Sequence, residues 1–201
     1  MKRDKYGAGQ DPYCYPGSTT LRNRLNLQDE DELSKAELDL SSIAANEIEF
    51  MPPPYGLARL KQIHKHLFCD VYDWAGEIRT VDISKEQTRF CSVQRIEPES
   101  TRIFDRLAQN SWFADASREA LVSGLAEVFG DVNVIHPFRE GNGRAQRILF
   151  DQIVVNAGYE INWWIVNPEE WIGANVDAVI CDYRALTEIF GRCVGNRFSD
   201  S

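Results

Sequence analysis

Between positions 136 and 147 the chain reads His136-Pro137-Phe138-Arg139-Glu140-Gly141-Asn142-Gly143-Arg144-Ala145-Gln146-Arg147. A base, an acid, two glycines, an amide and two closely spaced arginines fall within one short stretch. Gly141 and Gly143 admit positive φ and let backbone N–H groups come close to an anion. A helix beginning near Arg144 adds its dipole and its unsatisfied N–H groups. Arg144 and Arg147 stand three apart, share a helix face and can reach successive phosphates. Glu140 beside such phosphates suits Mg²⁺, which takes one or two carboxylates plus phosphate oxygens. His136 has an ordinary pKa suited to accepting a proton near neutrality. Each piece also has a plainer reading. Gly-Asn-Gly before a helix is commonly a turn, and two arginines commonly form a solvated face. His136 before Pro137 would serve as a satisfied loop histidine. Phe138 is expected to be a core anchor for the loop, and Arg139 is expected to face solvent.

The elements that must hold this loop are mostly helical. Ser34 and Glu37 form a capping-box pattern for a helix over 34–49, with Leu38, Ile43, Ala44 and Ile48 as its apolar stripe. The Pro52-Pro53-Pro54 run is expected to break it. Helical spacing recurs over 57–72 and 98–113, and again after Ser117, leading into the loop. The helix after the loop is expected to stop at Gly158. Asn167-Pro168-Glu169-Glu170 is a helix start with a cap, proline at the first position and acids in the first turn. Asp182 is a candidate cap for a last helix ending at Gly195. Residues 78–93 carry β-formers around Ser84-Lys85-Glu86-Gln87 and predict a hairpin. Residues 1–20 predict an extended arm held down by Tyr13 and Tyr15. The expectation is one mainly α domain over 1–201, with its core at about 10–195 and one hairpin.

With 43% hydrophobic and 26% charged residues in 201, the composition is that of a globular chain able to bury a core. A net charge of −9 argues against direct nucleic-acid binding, which needs clustered Lys and Arg. The five cysteines include no Cys-x-x-Cys pair and are odd in number, so a disulfide framework or zinc site is not expected. No signal peptide or membrane-length apolar run is seen, and a cytoplasmic location is expected.

The loop matches the pattern His-x-Phe-x-(Asp or Glu)-Gly-Asn-Gly-Arg-x-x-Arg at every defined position and resembles the Fic family. Asp11-Pro12-Tyr13, Tyr15-Pro16-Gly17, Asn23-Arg24-Leu25 and Asp73-Trp74-Ala75-Gly76-Glu77-Ile78-Arg79 are similar to bacterial toxin-type members, so the likeness covers about residues 10–195. The resemblance implies the Fic fold: a helical bundle with a central loop–helix and a β-hairpin flap. It implies transfer of AMP from ATP to a hydroxyl side chain of a target protein. His136 would be the base and Glu140 the Mg²⁺ ligand. Asn142 and the N–H groups of Gly141 to Gly143 would form the anion hole. Arg144 would hold the β-phosphate and Arg147 the γ-phosphate. Thr88, Arg89, Phe90 and Cys91 would belong to a flap that pairs with an extended target segment. Type II topoisomerase subunits are the targets the resemblance suggests.

A related phage toxin that phosphorylates has Lys where this chain has Gly143, so an open anion hole favours AMP transfer. Many members carry an inhibitory helix, (Ser or Thr)-x-x-x-Glu-(Gly or Asn), whose Glu pairs with the second motif arginine, here Arg147. Only Glu140 in this chain is followed by Gly or Asn, and it belongs to the loop itself. The expectation is a small antitoxin that supplies this Glu in trans. UMP transfer and a catalytically silent nucleotide- or partner-binding module are the alternatives. His64, His66, Trp163 and Trp164 lie outside the pattern; the histidines are expected to be solvated or structural, the tryptophans core or rim.

Overall fold

The computed structural model describes residues 11–85 and 88–198. The first ten residues of the expected arm, Glu86 and Gln87 at the expected hairpin turn, and Ser199 to Ser201 lie outside them. From Asp11 the chain is not an extended arm: it turns back on itself, with an antiparallel bridge between Cys14 and Leu21 and turn bonds from Cys14 to Asp11 and from Ser18 to Tyr15. Tyr13 sets its ring edge-on to Trp74 at 5.4 Å, and its hydroxyl accepts the Thr80 N–H at 3.0 Å.

Helix α1 (Glu30–Ala45) begins before Ser34, because Asp29 is the cap: its Oδ1 accepts the N–H groups of Asp31 and Glu32. Glu30, Asp31 and Glu32 then complement the positive end of the helix dipole. The expected stripe is corrected too. Leu38 and Ile43 are exposed, and the inward face carries Leu33, Glu37 and Ser41. The helix ends at Asn46, well before the proline run.

Helix α2 (Leu57–Phe68) buries Leu60, Ile63, His64, Leu67 and Phe68. It stops before the expected residue 72. The hairpin is smaller than predicted: β1 (Ser84–Lys85) pairs antiparallel with β2 (Thr88–Arg89), Ser84 opposite Arg89. Ile83 and Phe90 form a small apolar cluster of their own beneath it, flanked by Val81. A single 3-10 turn at Val93–Arg95 leads into α3 (Ile96–Gln109), which ends before the expected residue 113.

Helix α4 (Arg118–Ile135) starts at its Ser117 cap as expected and buries residues from Leu121 to Ile135 on most of its surface. Helix α5 (Asn142–Asn156) begins two residues earlier than predicted. It ends before Gly158, whose φ of +87° is the left-handed turn that glycine permits. These two helices are the axis of the molecule: α4 packs against α3, α5, α6 and α7, and α2 lies across α5 and α1.

Strand β3 (Tyr159–Ile161) follows. Then come α6 (Pro168–Ala178), opened by the Asn167 cap, and α7 (Arg184–Cys193). The last helix does not reach Gly195. Residues from Val194 form β4 (Val194–Arg197), antiparallel to β3, a pairing that sequence alone did not reveal. No described helix is long and apolar enough to cross a membrane.

Candidate active site

The loop between α4 and α5 is the turn-back of the central helix pair. Helix α4 ends on His136, which takes a left-handed conformation (φ 46°, ψ 62°) uncommon for a residue with a Cβ. Gly141, at φ 78°, then caps α5; a Cβ there would lie inside the Phe68 ring, so glycine is required twice over. Asn142 closes the loop between them. Its Oδ1 accepts the Phe138 N–H and its Nδ2 donates to the Phe138 carbonyl, both at 2.8 Å. The amide group is therefore turned into the loop, and any anion contact from this residue falls to its backbone N–H.

Phe138 is fully buried and stacks on His64 at 3.8 Å between ring centres. His64 is buried as well, so the solvated alternative does not apply to it. Its Nδ1 accepts the Gly76 N–H at 2.8 Å, which leaves Nε2 as the protonated nitrogen donating to the Glu140 carbonyl at 2.9 Å. Burial is the largest influence on this ring and pushes its pKa down to about 4.

His136 has the complementary arrangement. Its Nδ1 stands 3.0 Å from the Asn133 carbonyl and must carry the proton to donate there, so Nε2 is the basic nitrogen. Phe90 lies flat against the imidazole, 3.8 Å away at 16°. Desolvation dominates and lowers the His136 pKa to about 4; the Asn133 bond and Glu140 oppose this, and Arg79 and Lys85 add to it. The ring is neutral at physiological pH.

At the start of α5, Gly143 is exposed, and the space where a side chain would stand is open. Glu140 accepts its neighbour's N–H, Gly141 to Oε1, at 3.0 Å. Among the described residues no group of three or more His, Cys, Asp or Glu could hold a metal ion. A single carboxylate fits a cation that arrives already bound to phosphates.

Arg144 and Arg147 share the expected face but not the same surroundings. Arg144 lies over the Phe68 ring at 4.7 Å and pairs with Glu37 of α1; its Nη1 donates to Ser41 Oγ at 2.8 Å. Tyr72 donates its hydroxyl to the same Glu37. Arg147 stays exposed, with Nε 3.4 Å from the Gly143 carbonyl. Its proton affinity is lowered by desolvation and then by the Arg144 charge beside it, while Asp151 opposes.

Arg139 corrects the sequence reading. It is 2% exposed, and its Nε pairs with Asp11 Oδ2 at 2.5 Å, both side chains inside the molecule. Of the expected flap residues, Phe90 touches the imidazole, and the Cys91 N–H donates to the Val134 carbonyl at 2.9 Å. Thr88 and Arg89 form β2, with Arg89 exposed and 3.4 Å from Asp82. Trp163 is half-buried in an aromatic cluster with Phe129, Trp171 and Phe190, and Trp164 is 97% exposed.

A helical fold with a flap over a neutral imidazole, next to a helix N-terminus flanked by two arginines, is the Fic fold. Residues 54–154 match the Fic/DOC family, and the chain belongs to it. It is 39% identical over 191 residues to the probable protein adenylyltransferase Fic of Escherichia coli strain K12, covering 95% of this chain and 96% of that one. To the protein adenylyltransferase VbhT of Bartonella schoenbuchensis it is 33% identical over 176 residues, 87% of this chain and 37% of that protein. The N-terminal Fic domain of a putative cell filamentation protein from Bartonella quintana, crystallised with bound ADP, superposes with a TM-score of 0.84 at 25% identity, covering 92% and 95% of the two chains. The chain is an enzyme of the class its relatives name, a protein adenylyltransferase.

Proposed function

We propose that this chain transfers AMP from ATP to a hydroxyl side chain of a target protein, with His136 as the base. The observation that carries the reading is the His136 tautomer. Nδ1 is occupied by the Asn133 carbonyl, so Nε2 is the basic nitrogen of the ring, in the loop that leads into α5. In this reading Nε2 takes the proton of the target hydroxyl. The hydroxyl oxygen forms a bond to the α-phosphorus as the bond to the β-phosphate bridge breaks, and pyrophosphate leaves. The N–H groups of Gly141, Asn142 and Gly143 receive the phosphate charge. Arg144 holds the β-phosphate and Arg147 the γ-phosphate. Glu140 would hold the Mg²⁺ that comes with the nucleotide, and the ion would screen the phosphate charge. The hairpin of Thr88, Arg89, Phe90 and Cys91 receives an extended target segment by strand pairing. Catalysis then rests on positioning and charge stabilisation.

The chain acts in the cytoplasm as one Fic domain, and as the toxin of a pair: a small antitoxin sets a Glu against Arg147 and displaces the γ-phosphate. The exposure of Arg147 supports this, since a partner can reach the residue. Type II topoisomerase subunits are candidate targets. Incubation of the chain with a bacterial lysate and α-labelled ATP or UTP tests the reaction. Protein labelled from ATP is expected; label from UTP alone points to UMP transfer, and no label points to a silent binding module. Expression of the chain alone should slow growth, and a co-encoded small protein should relieve it.

A further inference from the structure

Arg79 is a charged side chain with no solvent exposure, and its nearest carboxylate, Asp82, stands 3.9 Å away. What surrounds the guanidinium instead is carbonyl oxygen. Nε donates to His136 at 2.8 Å, Nη1 to Val81 at 2.7 Å, and Nη2 to Cys91 and, at 3.3 Å, to Ile135. The Arg79 backbone N–H donates to the Pro137 carbonyl at 2.9 Å.

These acceptors belong to three segments. Ile135 and His136 are the C-terminus of α4, where carbonyls lack helical partners and a cation is favoured by the helix dipole. Val81 lies just before β1, and Cys91 lies just after β2. The Cys91 N–H is bonded to Val134, so the same junction is closed from the main chain as well. Phe90, the residue against the imidazole, is therefore held at one side by Cys91, which binds both α4 and Arg79. The left-handed backbone of His136 is held through its own carbonyl by the same guanidinium. Only a planar fork with five donors can serve this many acceptors; an ammonium group is a point charge with three.

We propose that Arg79 is a positioning residue for the transfer reaction, fixing the base of the flap and the backbone of His136 in one register. This rests on reading His136 as the base and the hairpin as the flap that receives the target. Misplacement of reacting groups by about an ångström can cost on the order of a hundredfold in rate.

The test is Arg79→Lys, assayed with α-labelled ATP and a bacterial lysate as acceptor. The expected result is a fall in maximal labelling rate of about tenfold to a hundredfold, with the KM for ATP changed by less than about twofold. A wild-type rate overturns the proposal. So does a KM for ATP that rises in parallel with the loss of rate, because damage to the whole fold would do that. His136→Ala, run alongside, separates the two failures: if it labels normally, the base assignment has failed and the proposal falls with it, whereas loss of labelling in His136→Ala with a wild-type rate in Arg79→Lys overturns the Arg79 argument alone.

A measurement on the unmodified chain covers the case in which Arg79→Lys folds poorly. Amide hydrogen exchange should show the N–H groups of Arg79 and Cys91 opening together with the last turn of α4. Exchange of these two amides many times faster than that turn would show the flap base to be independent of it and would overturn the proposal.

Discussion

Lowering the pH should weaken the wild-type protein more than a His64→Gln variant, and by a predictable amount. His64 is neutral in the fold because each ring nitrogen has a fixed role: Nδ1 accepts from Gly76 and Nε2 donates to Glu140. Protonation would put a hydrogen on Nδ1, facing another hydrogen. The pKa of about 4 in the fold lies below the ordinary value of 6.5, so the unfolded chain binds the proton first. The histidine's contribution is therefore complete above about pH 6.5 and is lost as pH falls towards 4. Linkage puts the loss at about 1.4 kcal/mol near pH 5.5 and about 2.5 kcal/mol near pH 4.5. At neutral pH, His64→Gln should itself cost about 2–3 kcal/mol, through one hydrogen bond and the stack on Phe138. The two proteins should thus converge in stability as the solution is acidified, since carboxylate titrations common to both cancel in the difference. Urea denaturation of each at about pH 7, 5.5 and 4.5 measures this. Stability curves that stay parallel across that range would refute the neutral, two-bonded His64.

Four further outcomes are expected. His136→Ala should reduce labelling by about 10²–10⁴ and leave ATP affinity intact, because the imidazole faces the hydroxyl and not the phosphates; near wild-type labelling would remove the base role. Asp11→Asn should cost about 1–3 kcal/mol in urea denaturation by weakening the charge-assisted bond that the buried Arg139 donates to this carboxylate. Gly141→Ala should lower thermal stability by about 2 kcal/mol or more, from positive φ and the collision with Phe68; an unchanged melting temperature would contradict that geometry. Glu37→Gln should tighten ATP binding several-fold in calorimetry, since the β-phosphate must otherwise compete with that carboxylate for Arg144; weaker binding would show that Glu37 presents the arginine instead.

The loop's chemistry was legible because its residues are neighbours in sequence, and a turn between two helices brings them together with little help from the rest. The caps Ser117 and Asn167 and the stop at Gly158 were legible for the same reason: each is a local bond pattern. What escaped were partners distant along the chain. Glu37 looked like half of a capping box because it follows Ser34 at the right spacing; its real partner, Arg144, lies 107 positions away. Leu38 and Ile43 looked like the buried stripe because apolar residues usually are, but the inward face of α1 also carries Glu37 and Ser41, which meet the Arg144 guanidinium. Arg139 looked solvated because arginines in loops usually are, and its partner Asp11 lies 128 positions away. The pairing of β3 with β4 joins segments separated by two helices, and no local periodicity announces such a contact.

The ion pair between Asp11 and Arg139 spans 128 positions, from the start of the described chain to the middle of the loop. An active loop tied in this way to the amino-terminal arm is a non-local assembly. The arm, α1 and α2 leave the ribosome long before the loop that they will hold. Closure of the loop therefore waits on contacts of high sequence separation, the slow class in folding. The practical corollary concerns handling of the protein: a truncation that removes Asp11, or a fusion that pulls the arm away, breaks the ion pair that ties the loop to the arm. Engineering at that end of the chain is engineering of the site.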